Sequence, residues 1–77
     1  MKIKVVVTLK SGVLDPQGKA IQQTLNGMNF GGVDDVRQGK FFEINVNEND
    51  ETKAKSQVED MCKKLLANVV IEDYKIL

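Results

Sequence analysis

The most intrinsically reactive side chain in this 77-residue sequence is its one cysteine, Cys62, and nothing in the sequence equips it to react. A thiol attacks as the thiolate, which needs a neighbouring base, a cation or a helix N-terminus. The chain has no His, and Cys62 falls inside a helical apolar stripe beside Met61 and Leu65. Core packing is its expected role. The lack of His also removes the commonest general base and metal ligand. A single Cys makes neither an intramolecular disulfide nor a Cys-built zinc site. The acidic pairs Asp34-Asp35 and Glu72-Asp73 lie on strand-like runs, where neighbours point to opposite faces, so neither is a catalytic dyad by itself. Gly12, Gly18, Gly31-Gly32 and Gly39 match neither a phosphate loop nor a dinucleotide fingerprint; they read as turn and close-packing positions. Arg37 and Lys40 flank a hairpin signal, where they either meet a carboxylate or a partner's backbone or are simply solvated.

Composition narrows the classes further. Eleven Lys and Arg balance 11 Asp and Glu, whereas a dedicated nucleic-acid binder of this size is normally basic. A chain this short buries only about 60% of its extended-state surface, too little for an enzyme that builds a deep pocket alone. No apolar run approaches the ~20 residues of a membrane span, and Lys2 followed by strand-like alternation is not a signal peptide. The expectation is one domain over residues 1–77, a cytoplasmic binding or subunit module with no membrane partner.

The elements that position these side chains follow from periodicity. Ile3, Val5, Val7 and Leu9 alternate with Lys2, Lys4, Val6, Thr8 and Lys10, predicting a first strand over 2–10. Asp15-Pro16 is a helix start, with Asp as N-cap and Pro at the first helical position. The helix should run from Pro16 to Met28, with Ile21, Leu25 and Met28 on one face. Strand-like runs over 33–38 and 41–46 flank Gly39-Lys40, a hairpin signal. Asn47 to Asp50 can cap a second helix over 51–67, whose stripe is Ala54, Val58, Met61, Cys62 and Leu65. Asn68 suits a left-handed helix stop. Val69 to Leu77 reads as a last strand, but Val70-Ile71 and Tyr74-Ile76 do not share one phase, so a bulge or burial on both faces is required.

The order β-α-β-β-α-β predicts an α+β, ferredoxin-like fold: a four-stranded antiparallel sheet, spatial order 4-1-3-2, with two helices on one face. The open face would then carry Val6, Thr8 and Phe41, and covering by a second copy is expected. An RNA-recognition fold shares this topology, but its third strand needs two exposed aromatics in one phase. Here Phe41 has Asn45 in the corresponding place.

Beyond this point the residues speak by resemblance. Val7-Thr8-Leu9-Lys10, Gly12-Val13-Leu14-Asp15-Pro16-Gln17-Gly18-Lys19-Ala20, Val36-Arg37, Gly39-Lys40, Met61-Cys62, Lys64-Leu65-Leu66-Ala67-Asn68 and Val70-Ile71-Glu72-Asp73-Tyr74 form an ordered series along the whole chain. That series closely resembles the PurS family, the small subunit of phosphoribosylformylglycinamidine synthase in purine biosynthesis. Two features depart from the family pattern: Val69 stands where the family usually has Pro, and Phe30-Gly31-Gly32 is a less regular strand entry.

The resemblance implies a subunit of an ATP-dependent carbon–nitrogen ligase, without catalytic residues of its own. A PurQ-type glutaminase would release ammonia, and a PurL-type synthetase would use ATP and magnesium to activate the formyl amide oxygen of formylglycinamide ribonucleotide. This chain would bridge them, support ammonia transfer, and form a dimer or dimer of dimers, with no cofactor or metal of its own. Residues in the matched motifs that the core does not require are the candidate partner interface: Lys10, Asp15, Gln17, Arg37, Lys40, Asn68, Glu72, Asp73 and Tyr74. The alternative is a small-molecule-sensing regulatory domain of the same topology, distinguishable by saturable binding of an amino acid or nucleotide.

Overall fold

The alternation of Ile3, Val5 and Val7 with charged and half-buried neighbours makes β1 (Lys2–Leu9) the central strand of the molecule. The computed structural model describes residues 1–77. Chain order continues with α1 (Pro16–Gly27), β2 (Gly39–Asn45), α2 (Glu51–Met61) and β3 (Glu72–Ile76). β2 pairs antiparallel with β1 from Lys2↔Asn45 to Thr8↔Gly39. β3 pairs antiparallel along the other edge, from Val5↔Ile76 to Leu9↔Glu72. The architecture is α+β, with two helices and a three-stranded antiparallel sheet in the order β2-β1-β3.

α2 lies over one face of this sheet. Asp50 caps it, its carboxylate accepting from the N–H groups of Thr52 (2.9 Å) and Lys53 (3.4 Å). Ala54, Val58 and Cys62 are fully buried and meet Ile3, Val5 and Val7, while Phe42, Ile44, Leu66, Tyr74 and Ile76 pack around them. Periodicity placed both the β1 and β2 inner faces and the first turns of α2 correctly. No helix is long and apolar enough to cross a membrane.

Past Met61 the helix widens into a π-helical turn, Cys62–Leu66, closed by the Ala67 N–H donating to the Cys62 carbonyl at 3.0 Å. This corrects the expected regular stripe. Widening the turn shifts the inward position by about one residue. Leu66 therefore packs against the core, Leu65 stands 83% exposed, and Met61 lies partly in solvent.

The fourth strand is the larger correction. Residues 33–38 form no ladder with the sheet. They return alongside α1, tethered by Gln22 Nε2 donating to the carbonyls of Val33 (3.2 Å) and Asp34 (3.0 Å) and by Asn26 Nδ2 donating to Val33 (3.4 Å). The physical reason lies in α1, which does not cover the sheet. Gly18 is its only buried residue, while Ile21 and Met28 are exposed. The radius of gyration is 15.9 Å, against about 11.5 Å for a compact chain of this length. α1 and its return form a protruding arm, which leaves residues 33–38 no sheet edge to join. With that run removed, the expected order 4-1-3-2 reduces to the observed β3-β1-β2.

Asn68 is not a left-handed stop. The only non-glycine residue with positive φ is Asn29 (70°), after α1. Asn68 instead organises a turn: its carbonyl accepts from the N–H groups of Ile71 (3.0 Å) and Glu72 (2.7 Å), and its Oδ1 accepts from Val70 (3.2 Å). Val69–Ile71 thus precede β3, which dissolves the phase conflict without a bulge or two-sided burial. Tyr74 and Ile76 keep the period of two from Glu72 onward.

Candidate partner interface

The arm meets the sheet where the end of β1, the start of α1 and the starts of β2 and β3 converge. Asp15 is the pivot. Its Oδ1 accepts the Gly18 N–H at 2.9 Å, the N-cap bond that Asp-Pro predicts. Its Oδ2 accepts the Gln38 N–H at 2.9 Å, clamping the end of the return segment to the start of α1. These bonds, first from Gln38 and then from Gly18, hold the Asp15 carboxyl below its usual 3.8, and the nearby Arg37 charge adds to them. Gly18 is required by close approach: a Cβ there would overlap the Val36 carbonyl oxygen and sit 2.8 Å from Asp15 Oδ2.

Around this pivot the chain builds a polar cavity of about 240 Å³, with Val7 and Leu9 as floor and Asp15, Gln17, Gln38, Lys40 and Glu72 as walls. Lys40 Nζ stands 3.9 Å from Glu72 Oε2, and Glu72 Oε1 accepts the Asn68 N–H at 2.7 Å. Beside it, Lys10 Nζ pairs with Asp73 Oδ1 at 3.3 Å. Arg37 spends its guanidinium on two backbone carbonyls, Val13 (2.8 Å) and Lys10 (3.1 Å), strapping the loop after β1 to the return segment. Arg37, Asp34, Asp35 and Lys19 line a second, wider hollow of about 400 Å³ on the arm.

Most of the sequence-derived candidates therefore gather at one junction. Lys10, Asp15, Gln17, Lys40, Glu72 and Asp73 lie together, with Asn68 and Arg37 bonded to them. Tyr74 does not join them. It faces inward against the core and donates to Glu59 Oε1 at 3.4 Å, with burial first and Glu59 second raising its pKa. Gln38 and Val13 escaped the sequence reading because each acts through its backbone, which leaves no residue-type signal. Phe41, paired across the strands with Val6 on the open sheet face, is 55% exposed, as expected from its phase. Cys62 is fully buried, and burial pushes its thiol up, reinforced by Glu59.

The arrangement is a junction of charges and hydrogen bonds paired within the chain at the meeting point of β1, α1, β2 and β3. The family model for PurS, phosphoribosylformylglycinamidine (FGAM) synthase, matches residues 2–77. The chain belongs to the PurS family. Among PurS relatives, the phosphoribosylformylglycinamidine synthase subunit PurS of Bacillus subtilis is 50% identical over 74 residues, covering 96% of this chain and 87% of its own. That of Methanocaldococcus jannaschii is 48% identical over 75 residues, covering 97% and 90%. The crystal structure of M. jannaschii PurS, described as a subunit of formylglycinamide ribonucleotide amidotransferase, superposes with a TM-score of 0.87 at 49% identity, over 99% of this chain and 92% of that one. A chain from the PurLQS structure of Thermotoga maritima superposes with a TM-score of 0.86 at 30% identity, over 100% and 96%.

Proposed function

We propose that this PurS-family chain is the assembly subunit of phosphoribosylformylglycinamidine synthase in purine biosynthesis. In this role it bridges a PurQ-type glutaminase and a PurL-type synthetase and supports the passage of ammonia between them. The observation that carries the proposal is the likeness, over the full chain, to a component of the T. maritima PurLQS structure. The enzyme is an ATP-dependent ligase with glutamine as nitrogen donor; ATP and magnesium act in the synthetase, and this chain needs no cofactor of its own. It works in the cytoplasm, as a single unit over residues 1–77.

The junction of Lys10, Asp15, Gln17, Arg37, Lys40, Asn68, Glu72 and Asp73 is the contact surface; Tyr74, turned to the core and bonded to Glu59, lies outside it. Self-association into a dimer or dimer of dimers belongs to the same reading. An α1 arm that buries only Gly18 while exposing Ile21, Met28 and Phe30 lacks the cover a stable helix needs. The segment 33–38, whose N–H groups from Val33 to Arg37 find no partner within the chain, is available to complete a fourth strand in that assembly.

Co-purification tests the reading. With glutamine and Mg-ADP present, the tagged chain should retain both synthetase and glutaminase in a stable complex. Failure to retain either, from a chain shown to be folded by circular dichroism, would overturn it.

A further inference from the structure

The α1 arm leaves the sheet and returns to it through two crossings, Lys10 to Asp15 on the way out and Gln38-Gly39 on the way back. No residue from Lys10 to Gln38 belongs to the apolar core or packs against it. A helix is ordinarily held in place by burying its apolar stripe against a neighbouring layer, and α1 has no such support from the body. Its pose matters all the more because the molecule is long, 48 × 24 × 14 Å. A swing of about 20° at the base of a helix about 18 Å long carries its tip about 6 Å.

Two charged side chains close the neck instead, one sent from each crossing to the other. From the return, Arg37 Nη1 donates to the Val13 carbonyl at 2.8 Å and Nη2 to the Lys10 carbonyl at 3.1 Å. Lys10 is itself pinned to the sheet, its N–H donating to the Ile71 carbonyl at 2.8 Å. From the outward crossing, Asp15 Oδ2 accepts the Gln38 N–H at 2.9 Å. Gln22 and Asn26 meanwhile tie α1 to its own return, so the arm moves about the neck as one piece.

We propose that Asp15 and Arg37 are positioning residues that set the angle of the arm. They thereby place the unpaired run 33–38 and the exposed face of α1 in the pose that a second copy of this chain engages. The proposal rests on the self-association named above and supplies its geometry: an arm fixed before contact lowers the ordering cost of binding. The straps can be cut singly. Arg37→Met removes both guanidinium bonds, which lie at the surface and leave no buried group unpaired. Arg37→Lys keeps the charge without the planar fork that holds two carbonyls. Asp15→Asn keeps one acceptor oxygen, enough for the Gly18 cap or the Gln38 strap but not for both.

Time-resolved energy transfer reads the angle, with dyes on Gln23→Cys in α1 and Ser56→Cys in α2, at a dilution where fluorescence-detected sedimentation shows single chains. Both positions are exposed, and the fully buried Cys62 is spared by the dyes. On unlabelled variants, slow reaction of the Cys62 thiol shows the β1–α2 core intact, and sedimentation equilibrium gives the association constant. The native chain should show one narrow distance distribution. Arg37→Met and Asp15→Asn should broaden it and weaken self-association about 10-fold or more, with Cys62 still protected and Arg37→Lys falling between. Unchanged distances in Arg37→Met and Asp15→Asn would overturn the proposal. So would broadened distances with self-association unchanged, since assembly would then not read the angle. A native chain that stays single at every concentration would refute the self-association reading and the proposal with it, and the distances tell the two failures apart.

Discussion

Replacing Gly18 by Ala should destabilise this protein, although helix propensity says the reverse. Within a helix, Gly→Ala ordinarily stabilises by about 0.5–1 kcal/mol, because glycine loses more backbone entropy on folding. At Gly18 the added methyl would run into the Val36 carbonyl oxygen and crowd Asp15 Oδ2 at 2.8 Å. Both are held in place: Asp15 by its bonds to Gly18 and Gln38, and Val36 by the Gln38 and Arg37 attachments that follow it. Forcing a methyl into a packed site costs about 1–3 kcal/mol. Subtracting the propensity gain leaves a net loss of up to about 2.5 kcal/mol; the clash with a held backbone oxygen puts it at about 2 kcal/mol, or roughly 8–16 °C in Tm for a domain of this size. Gly27→Ala is the internal control: nothing lies within 4 Å of its added methyl and its φ is not positive, so it should gain about 0.5–1 kcal/mol. Urea unfolding followed by far-ultraviolet circular dichroism, at one protein concentration, gives both values. If Gly18→Ala stabilised as much as Gly27→Ala, the packing of the return segment against α1 would be wrong.

Other outcomes follow from the same geometry. Asp15 has a folded-state pKa below its usual 3.8, so its contribution to stability is complete above that value and is lost as pH falls through the lower, folded pKa. Asp15→Asn should therefore lower stability at pH 7 and flatten the acid limb of the stability curve, read by urea midpoints from pH 7 to 2. Cys62→Ala should cost about 1–2 kcal/mol through the small cavity it leaves, while the assembled enzyme keeps its specific activity; loss of activity in a folded variant would return Cys62 to the chemistry. The native thiol should react with a thiol-specific reagent only as fast as the protein opens, since it is fully buried.

The parts of this fold that periodicity could reach are those whose apolar side chains face one another within the chain. Ile3, Val5 and Val7 on β1, Phe42 and Ile44 on β2, and Ala54, Val58 and Cys62 on α2 share one core, and each was legible from its spacing. Residues 33–38 look like a strand for a weaker reason, a short run between glycines; its two valines, Val33 and Val36, are three apart and share no strand face. A strand is defined by its neighbour, however, and α1 carries this run away from the sheet. The π-helical turn leaves no mark in spacing, because Leu65 and Leu66 satisfy a core position equally well until the helix geometry chooses. At the junction, Asp15 announced its capping role through Pro16, and Lys40 and Glu72 drew notice as charged residues in matched motifs. Their mutual proximity was hidden, since it depends on β2 and β3 flanking the same central strand. Gln38 acts through a backbone N–H, which any residue but proline could supply.

The proposed role of this chain is to join two active sites and contribute to the transfer between them. It is tested most directly by product formation from formylglycinamide ribonucleotide and ATP, with and without the chain, using glutamine or concentrated ammonium salt as nitrogen source. Free ammonia released to bulk water at neutral pH is protonated and lost as a nucleophile, so a sheltered passage matters only for the glutamine route. Omitting the chain should abolish most glutamine-dependent synthesis and leave a substantial part of the ammonium-dependent rate. Equal losses with both nitrogen sources would show that the chain shapes the synthetase site itself, and undiminished glutamine-dependent synthesis would remove it from the enzyme.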